Sequence, residues 1–209
     1  MVLYKLTYFN MRARAEPIRT LFALAGVEFE DVRIAKEDWP AMKESTPLGQ
    51  LPVLDVDGHQ ISQSVAIMRY LGRQFNLAGK TALEDARIDM FVDQMNDFIN
   101  EIRPYVLVVY INTDQDKEKL HKEVFVPGRK KHFEILMKFL GGKDFLLDSV
   151  SWGDVILAVH LSTSRDMIIP DMFEGFPEME AYVNRVLAVP RIKEYMAKRP
   201  PATPPVPFN

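Results

Sequence analysis

The chain has no cysteine among its 209 residues. That absence excludes a disulfide framework, thiolate metal sites and a cysteine nucleophile together. Any sulfur chemistry has to arrive with a ligand, and no metal is expected. Long apolar runs are missing too: nothing approaches the ~18 residues of a membrane span. Met1–Tyr8 reads as a strand without a signal-peptide core, so a cytoplasmic location with no membrane partner is expected. Charge of one sign is scarce, with 26 basic residues against 29 acidic and a net charge of −3. The longest basic run, Arg129-Lys130-Lys131, reads as a solvated helix face, so nucleic acid is not an expected partner.

What is present is an ordinary globular composition, 47% hydrophobic and 26% charged, long enough to bury a core without staples. The first part mixes strands and helices. Val2–Tyr8 reads as a strand, Arg14–Ala25 as a helix that tolerates Pro17 in its first turn and stops at Gly26, and Glu28–Ile34 as a second strand. Such a crossover makes a parallel pair. Val53–Val56 meets His59–Ile61 across Asp57-Gly58, a hairpin signal, and Ser64 opens a helix through Leu71. Beyond a linker at Leu77–Thr81 the period is helical. Ile88, Phe91, Val92, Met95, Phe98, Ile99 and Ile102 form one apolar stripe. Pro104 is expected to kink or end that helix. A second helical stretch, Lys117 to Leu140, is expected to break near Pro127. A third starts at Ser151, where Ser151 and Asp154 have capping-box spacing. Shorter helices follow at Pro177–Ala188 and Arg191–Lys198.

The expected architecture is therefore α/β followed by all-α. Residues 1–76 form a thioredoxin-like domain with a mixed four-stranded sheet, 77–81 a linker, 82–199 an all-helical domain and 200–209 an extended or disordered proline-rich tail. That layout serves several functions and decides none.

Four segments carry more. Tyr4–Arg19 (YKLTYFNMRARAEPIR), Glu37–Glu44 (EDWPAMKE), Gly49–Gly58 (GQLPVLDVDG) and Gln63–Leu71 (QSVAIMRYL) together resemble a sigma-like cytosolic glutathione transferase, and Ser151–Asp154 (SWGD) resembles that family's C-terminal capping motif. The resemblance extends to about Pro200. It implies glutathione as co-substrate, conjugation of electrophiles by its thiolate with peroxide reduction as a further activity, and a homodimer.

By residue type alone, Tyr4 and Tyr8 share one face of the strand and are indistinguishable; the resemblance selects Tyr8 as the catalytic donor. A hydroxyl donating to a bound sulfur stabilises the thiolate and lowers the thiol pKa. Leu51-Pro52 suits a cis bond, and the resemblance implies that Leu51 pairs through its backbone with the cysteine of the peptide. Ser64 is a good N-cap residue; with Gln63 it is implied to receive the γ-glutamyl carboxylate at a helix start. Trp39 and Lys43, four residues apart, are implied to hold the glycyl end, with Gln50 beside them. Arg14 either orients the Tyr8 hydroxyl or polarises the sulfur. Asp97 reads equally as a solvated helix acid or as a group reaching the peptide's amino end in the partner subunit. For the electrophile pocket, Phe9, Met11 and Ala13 are candidates from the first domain, Ile99 and Tyr105 from the second.

The sequence departs from the pattern at Ala13, where many relatives have glycine, at Leu48, which stands where other classes carry an aromatic dimer key, and after Pro104. Two further functions share the resemblance: a glutathione-dependent prostaglandin isomerase, and a non-catalytic ligand-binding or crystallin-like structural protein. The joint presence of Tyr8, Arg14, Trp39, Lys43, Gln63 and Ser64 favours the enzyme.

Overall fold

A computed structural model describes residues 2–111 and 114–200. The N-terminal half is built on four strands: β1 (Tyr4–Phe9), β2 (Glu30–Ile34), β3 (Val53–Val56) and β4 (His59–Ser62), in the order β2-β1-β3-β4. β1 runs parallel to β2 and antiparallel to β3, and β3 pairs with β4 as a hairpin across Asp57-Gly58. The parallel pair follows from the crossover helix α1 (Glu16–Ala25), which begins with Pro17 in its first turn and stops at Gly26, left-handed at φ 69°. A short helical turn α2 (Trp39–Met42) and the helix α3 (Ser64–Gln74) complete this half. It is the mixed four-stranded, thioredoxin-like sheet that the sequence predicts.

The helical half opens with α4 (Ala82–Ile111), 30 residues long with Pro104 inside it. The helix does not end at Pro104. Proline removes one ladder bond to the carbonyl of residue 100, yet Pro104 and Asn100 both lie on the exposed face, where solvent satisfies the freed group. The opposite face is held by the buried side chains of Ile102, Tyr105 and Val108. Lys117–Leu140 resolves into a helical turn α5 (Lys117–Leu120), a π-helical turn (His121–Phe125) and α6 (Val126–Leu140). The irregularity precedes Pro127 because that proline occupies the first turn of α6, where its missing N–H costs nothing. α7 (Trp152–Met167), α8 (Pro177–Leu187) and α9 (Pro190–Lys198) follow. The reading of the proline-rich tail falls on residues 201–209, outside the described residues.

α7 is the axis of the molecule. Trp152 to Val159 are all buried, so it is apolar all round and packs against α1, α3, α4 and α8. Its capping box is present: the Ser151 amide and hydroxyl both donate to Asp154 Oδ2, at 2.8 and 2.6 Å. The Leu146 amide (2.8 Å) and the Tyr182 hydroxyl (2.5 Å) donate to Oδ1. Burial pulls the Asp154 carboxyl upward and these donors pull it back. The two halves meet where the Trp152 amide donates to Leu77 O (2.9 Å). There Gly72 allows the approach of α3, because a Cβ at that position would lie 2.4 Å from Trp152 Cδ1.

Candidate active site

The strand register brings chemistry-bearing residues into one row. Thr7 pairs with Val53, and Val53 with Ser62. Both pairs are antiparallel, so one residue further along each strand Pro52 stands across from Tyr8, and Gln63 across from Pro52. The row lies at the C-terminal end of β1, beside the N-terminus of α3. The Leu51–Pro52 bond is cis. Gln63 precedes α3 with φ 73° and ψ 113°, outside the conformations favoured by a side chain with a Cβ, and no side chain caps the helix. Ser64 is thus the first helical residue rather than the expected N-cap. The Ile67 amide bonds to Gln63 O (2.9 Å), which leaves the earlier amides of the turn aimed outward, a geometry suited to an anion.

Tyr8 and Tyr4 are separated by their surroundings. Tyr4 packs edge-on to Phe22 (5.3 Å) and Phe75 (5.8 Å) inside an aromatic cluster. Tyr8, 6% exposed, ends the strand at the rim of a pocket. Burial raises its phenol pKa, against the pull of the Arg14 backbone amide and of the Arg14 and Arg19 charges. The phenol therefore stays protonated and remains a hydrogen-bond donor at neutral pH. Its ring meets Phe9 at 5.6 Å, and Phe9 meets Trp39 at 6.0 Å. Trp39 and Lys43 are one helical turn apart, the Lys43 amide bonding to Trp39 O. The Lys43 side chain lies over Gly49, next to exposed Gln50.

The pocket has a volume of about 380 Å³. One wall is Tyr8 with Met11, Arg12, Ala13 and Arg14. Ala13 holds φ 35°, a left-handed conformation in which glycine is easier. The loop is braced from below: buried Arg19 donates to Met11 O (2.8 Å) and to both oxygens of Asp31 (3.0 and 3.1 Å). α4 supplies Val106, Leu107 and Tyr110. α7 supplies His160, Thr163, Ser164 and Met167, with Ile168 just beyond, at the spacing of one helix face.

Of the expected pocket residues, Met11 and Ala13 line this pocket, and Phe9, Ile99 and Tyr105 are not among the residues that line it. Phe9 points between Tyr8 and Trp39. Ile99 packs against the helical core. Tyr105 is 4% exposed and stacks on Phe125 at 5.1 Å. Tyr110, one and a half turns beyond Tyr105, takes its place. The α7 stripe was missed altogether, although a polar His160, Thr163, Ser164 series on an otherwise apolar helix was a readable signal. Burial, and then the Arg14 charge, pushes His160 down to about 4. Asp97 is exposed on α4, without a hydrogen bond or ion pair among the described residues. No group of metal-ligating side chains occurs among the described residues, and none of their helices is long and apolar enough to cross a membrane.

Residues 4–73 match the model of the glutathione S-transferase N-terminal domain and residues 96–199 that of the C-terminal domain. The chain is 48% identical over 200 residues to glutathione S-transferase 1 of Ascaris suum, covering 94% of this chain and 97% of that one. A Nu-class glutathione S-transferase from Haemonchus contortus superposes with a TM-score of 0.88 at 46% identity, over 97% and 99% of the two chains. A glutathione S-transferase from the hookworm Necator americanus, described as monomeric, superposes with a TM-score of 0.90 at 43% identity, over 96% and 99%.

Proposed function

We propose, for a chain that belongs to the glutathione S-transferase family and is a glutathione transferase, that Tyr8 is the group that holds the glutathione thiolate. The observation that carries this reading is the row Tyr8–Pro52–Gln63 at one end of the sheet, with a buried, protonated phenol at the mouth of an apolar pocket. Glutathione lies along that row. Its γ-glutamyl carboxylate meets the first turn of α3 at Gln63 and Ser64, where outward amides and the helix dipole favour an anion. The Leu51 backbone, set by cis-Pro52, pairs with its cysteine. Lys43, Trp39 and Gln50 hold its glycyl end. The thiol then falls at Tyr8, whose O–H donates to the sulfur once the proton has left to solvent. Arg14 adds positive charge. The thiolate attacks the electrophilic atom of a substrate in the pocket, and hydroperoxides are open to the same nucleophile. No metal takes part.

Thiol titration in the binary complex tests this assignment. The thiolate absorbs in the near ultraviolet, and its appearance with pH is expected at least one unit below the ~8.5 of an ordinary thiol. Glutathione that binds but titrates like free glutathione overturns the role given to Tyr8.

The remaining parts of the reading are a homodimer, a cytoplasmic location and a detoxifying role. The motifs of the N-terminal half support a sigma-like class and the likeness to the Haemonchus protein supports a Nu class; the chemistry is the same under either label. The dimer is supported by α4, where Leu83 (73% exposed) and Met90 (59% exposed) fall seven residues apart on a stripe that continues to Asp97. In a dimer Asp97 reaches the peptide's amino group in the partner site. Sedimentation is expected to give twice the chain mass, and Asp97→Ala to raise KM for glutathione several-fold with kcat little changed. A single-chain mass, as the description of the Necator relative would suggest, sinks this part alone.

A further inference from the structure

The pocket wall contributed by α7 carries polarity that the glutathione half does not use. His160 lines the pocket from α7, near Arg14, and its ring makes no hydrogen bond to any described residue. His160 is half-buried, and one turn along the same face Thr163 Oγ1 is buried without a partner. On the side of α4 the lining is apolar at Val106 and Leu107, with the Tyr110 phenol beyond them. An unpaired imidazole in such a wall has a reason to exist if a ligand supplies its partner. The nearest fixed charge, Arg14, repels a proton on the ring and attracts a substrate oxygen that gains negative charge.

We propose that His160 determines electrophile choice by donating a ring N–H to the carbonyl oxygen of an α,β-unsaturated aldehyde or ketone whose apolar body lies along α4. The inference rests on the assignment of Tyr8 as the thiolate holder. The glutathione sulfur forms a bond to the β-carbon and the carbon–carbon π bond breaks. Its electron pair moves through the α-carbon to the carbonyl oxygen, giving an enolate. The α-carbon then takes a proton from solvent, replacing the one the thiol released, so nothing leaves and no oxidant or reductant is consumed. Neutral imidazole donates a hydrogen bond that strengthens as charge develops on oxygen, and it does not transfer its proton. His160, pushed down to about 4, is neutral across the working range and has that N–H to give.

The test compares cinnamaldehyde with benzyl chloride, a benzylic halide that has no oxygen acceptor. With His160→Leu, kcat/KM for cinnamaldehyde is expected to fall about 100-fold, the effect of losing one oxyanion donor at the lower end of its range. For benzyl chloride it stays within about threefold. His160→Gln, which keeps an N–H donor, is expected to restore most of the cinnamaldehyde rate. Equal loss on both substrates means a packing role, and no loss on either means an idle side chain; each overturns the proposal while leaving Tyr8 untouched. If the wild-type protein binds glutathione and turns over neither substrate, the Tyr8 reading fails and this one with it.

Discussion

Tyr8→Phe is expected to lower kcat/KM for glutathione conjugation to chlorodinitrobenzene about 100-fold, close to 2.7 kcal/mol of transition-state stabilisation. The substitution removes one oxygen and keeps the ring, so the contact with Phe9 at 5.6 Å survives and the melting temperature should hardly move. What disappears is the only hydrogen bond assigned to the sulfur. A donor that stabilises a thiolate by about two pKa units makes the bound thiol mostly ionised near neutrality; without it the thiol reverts toward ~8.5. The acid limb of the pH–rate profile should therefore move up by about two units in the variant, while the affinity for glutathione, held elsewhere along the row, changes little. The direction depends on the phenol itself staying protonated, which its burial secures. A Tyr8→Phe protein with an unchanged pH profile sinks the assignment.

Asp154→Ala is expected to be the most destabilising single change in the helical half, by about 4 kcal/mol, or about 10–15 °C in melting temperature for a chain of this size. The carboxylate is fully buried and accepts from the Leu146 and Ser151 amides and from the Ser151 and Tyr182 hydroxyls. Alanine leaves those donors buried and unpaired and opens a small void. It also uncaps α7, the helix against which both halves pack. Because Trp152 begins that helix and sits on Gly72, the loss is transmitted to the seam between the halves. Thermal unfolding of the purified variant, with and without glutathione, measures the effect; a fall of less than about 3 °C would contradict the network's structural role.

The sheet half was largely legible in the sequence because its signals are local. Asp57-Gly58 dictates a hairpin, Gly26 stops α1, and the apolar alternation of β1 places Leu6 and Tyr8 on one face. The long helix was legible as a stripe but not as a length. A helix-interior proline is tolerated more readily where the carbonyl it frees can reach solvent, and whether position 104 faces solvent depends on packing that no window of sequence contains. The same limit hid the pocket. Tyr105 and Tyr110 are both aromatic residues on one helix, and only the π-helical turn at His121–Phe125, which brings Phe125 against Tyr105, decides that Tyr105 turns inward and Tyr110 takes the pocket. His160 lies about 150 residues from Tyr8 in the chain, so no spacing rule could unite them. Tyr4 and Tyr8 share parity and differ in their neighbours: Tyr4 packs against Phe22 and Phe75, and Tyr8 lines the pocket.

The pocket is walled by three stretches of chain, one from the sheet half and two from the helical half, and this has a consequence for how such proteins diversify. The loop at Met11–Arg14 is fixed from below by the buried Arg19. The α7 face is a separate stretch of chain, so positions 160, 163, 164 and 167 can change one at a time without altering that brace. A lineage that duplicates such a gene can therefore reshape one side of the pocket by editing a single helical stripe, while inheriting the loop at the end of β1 intact.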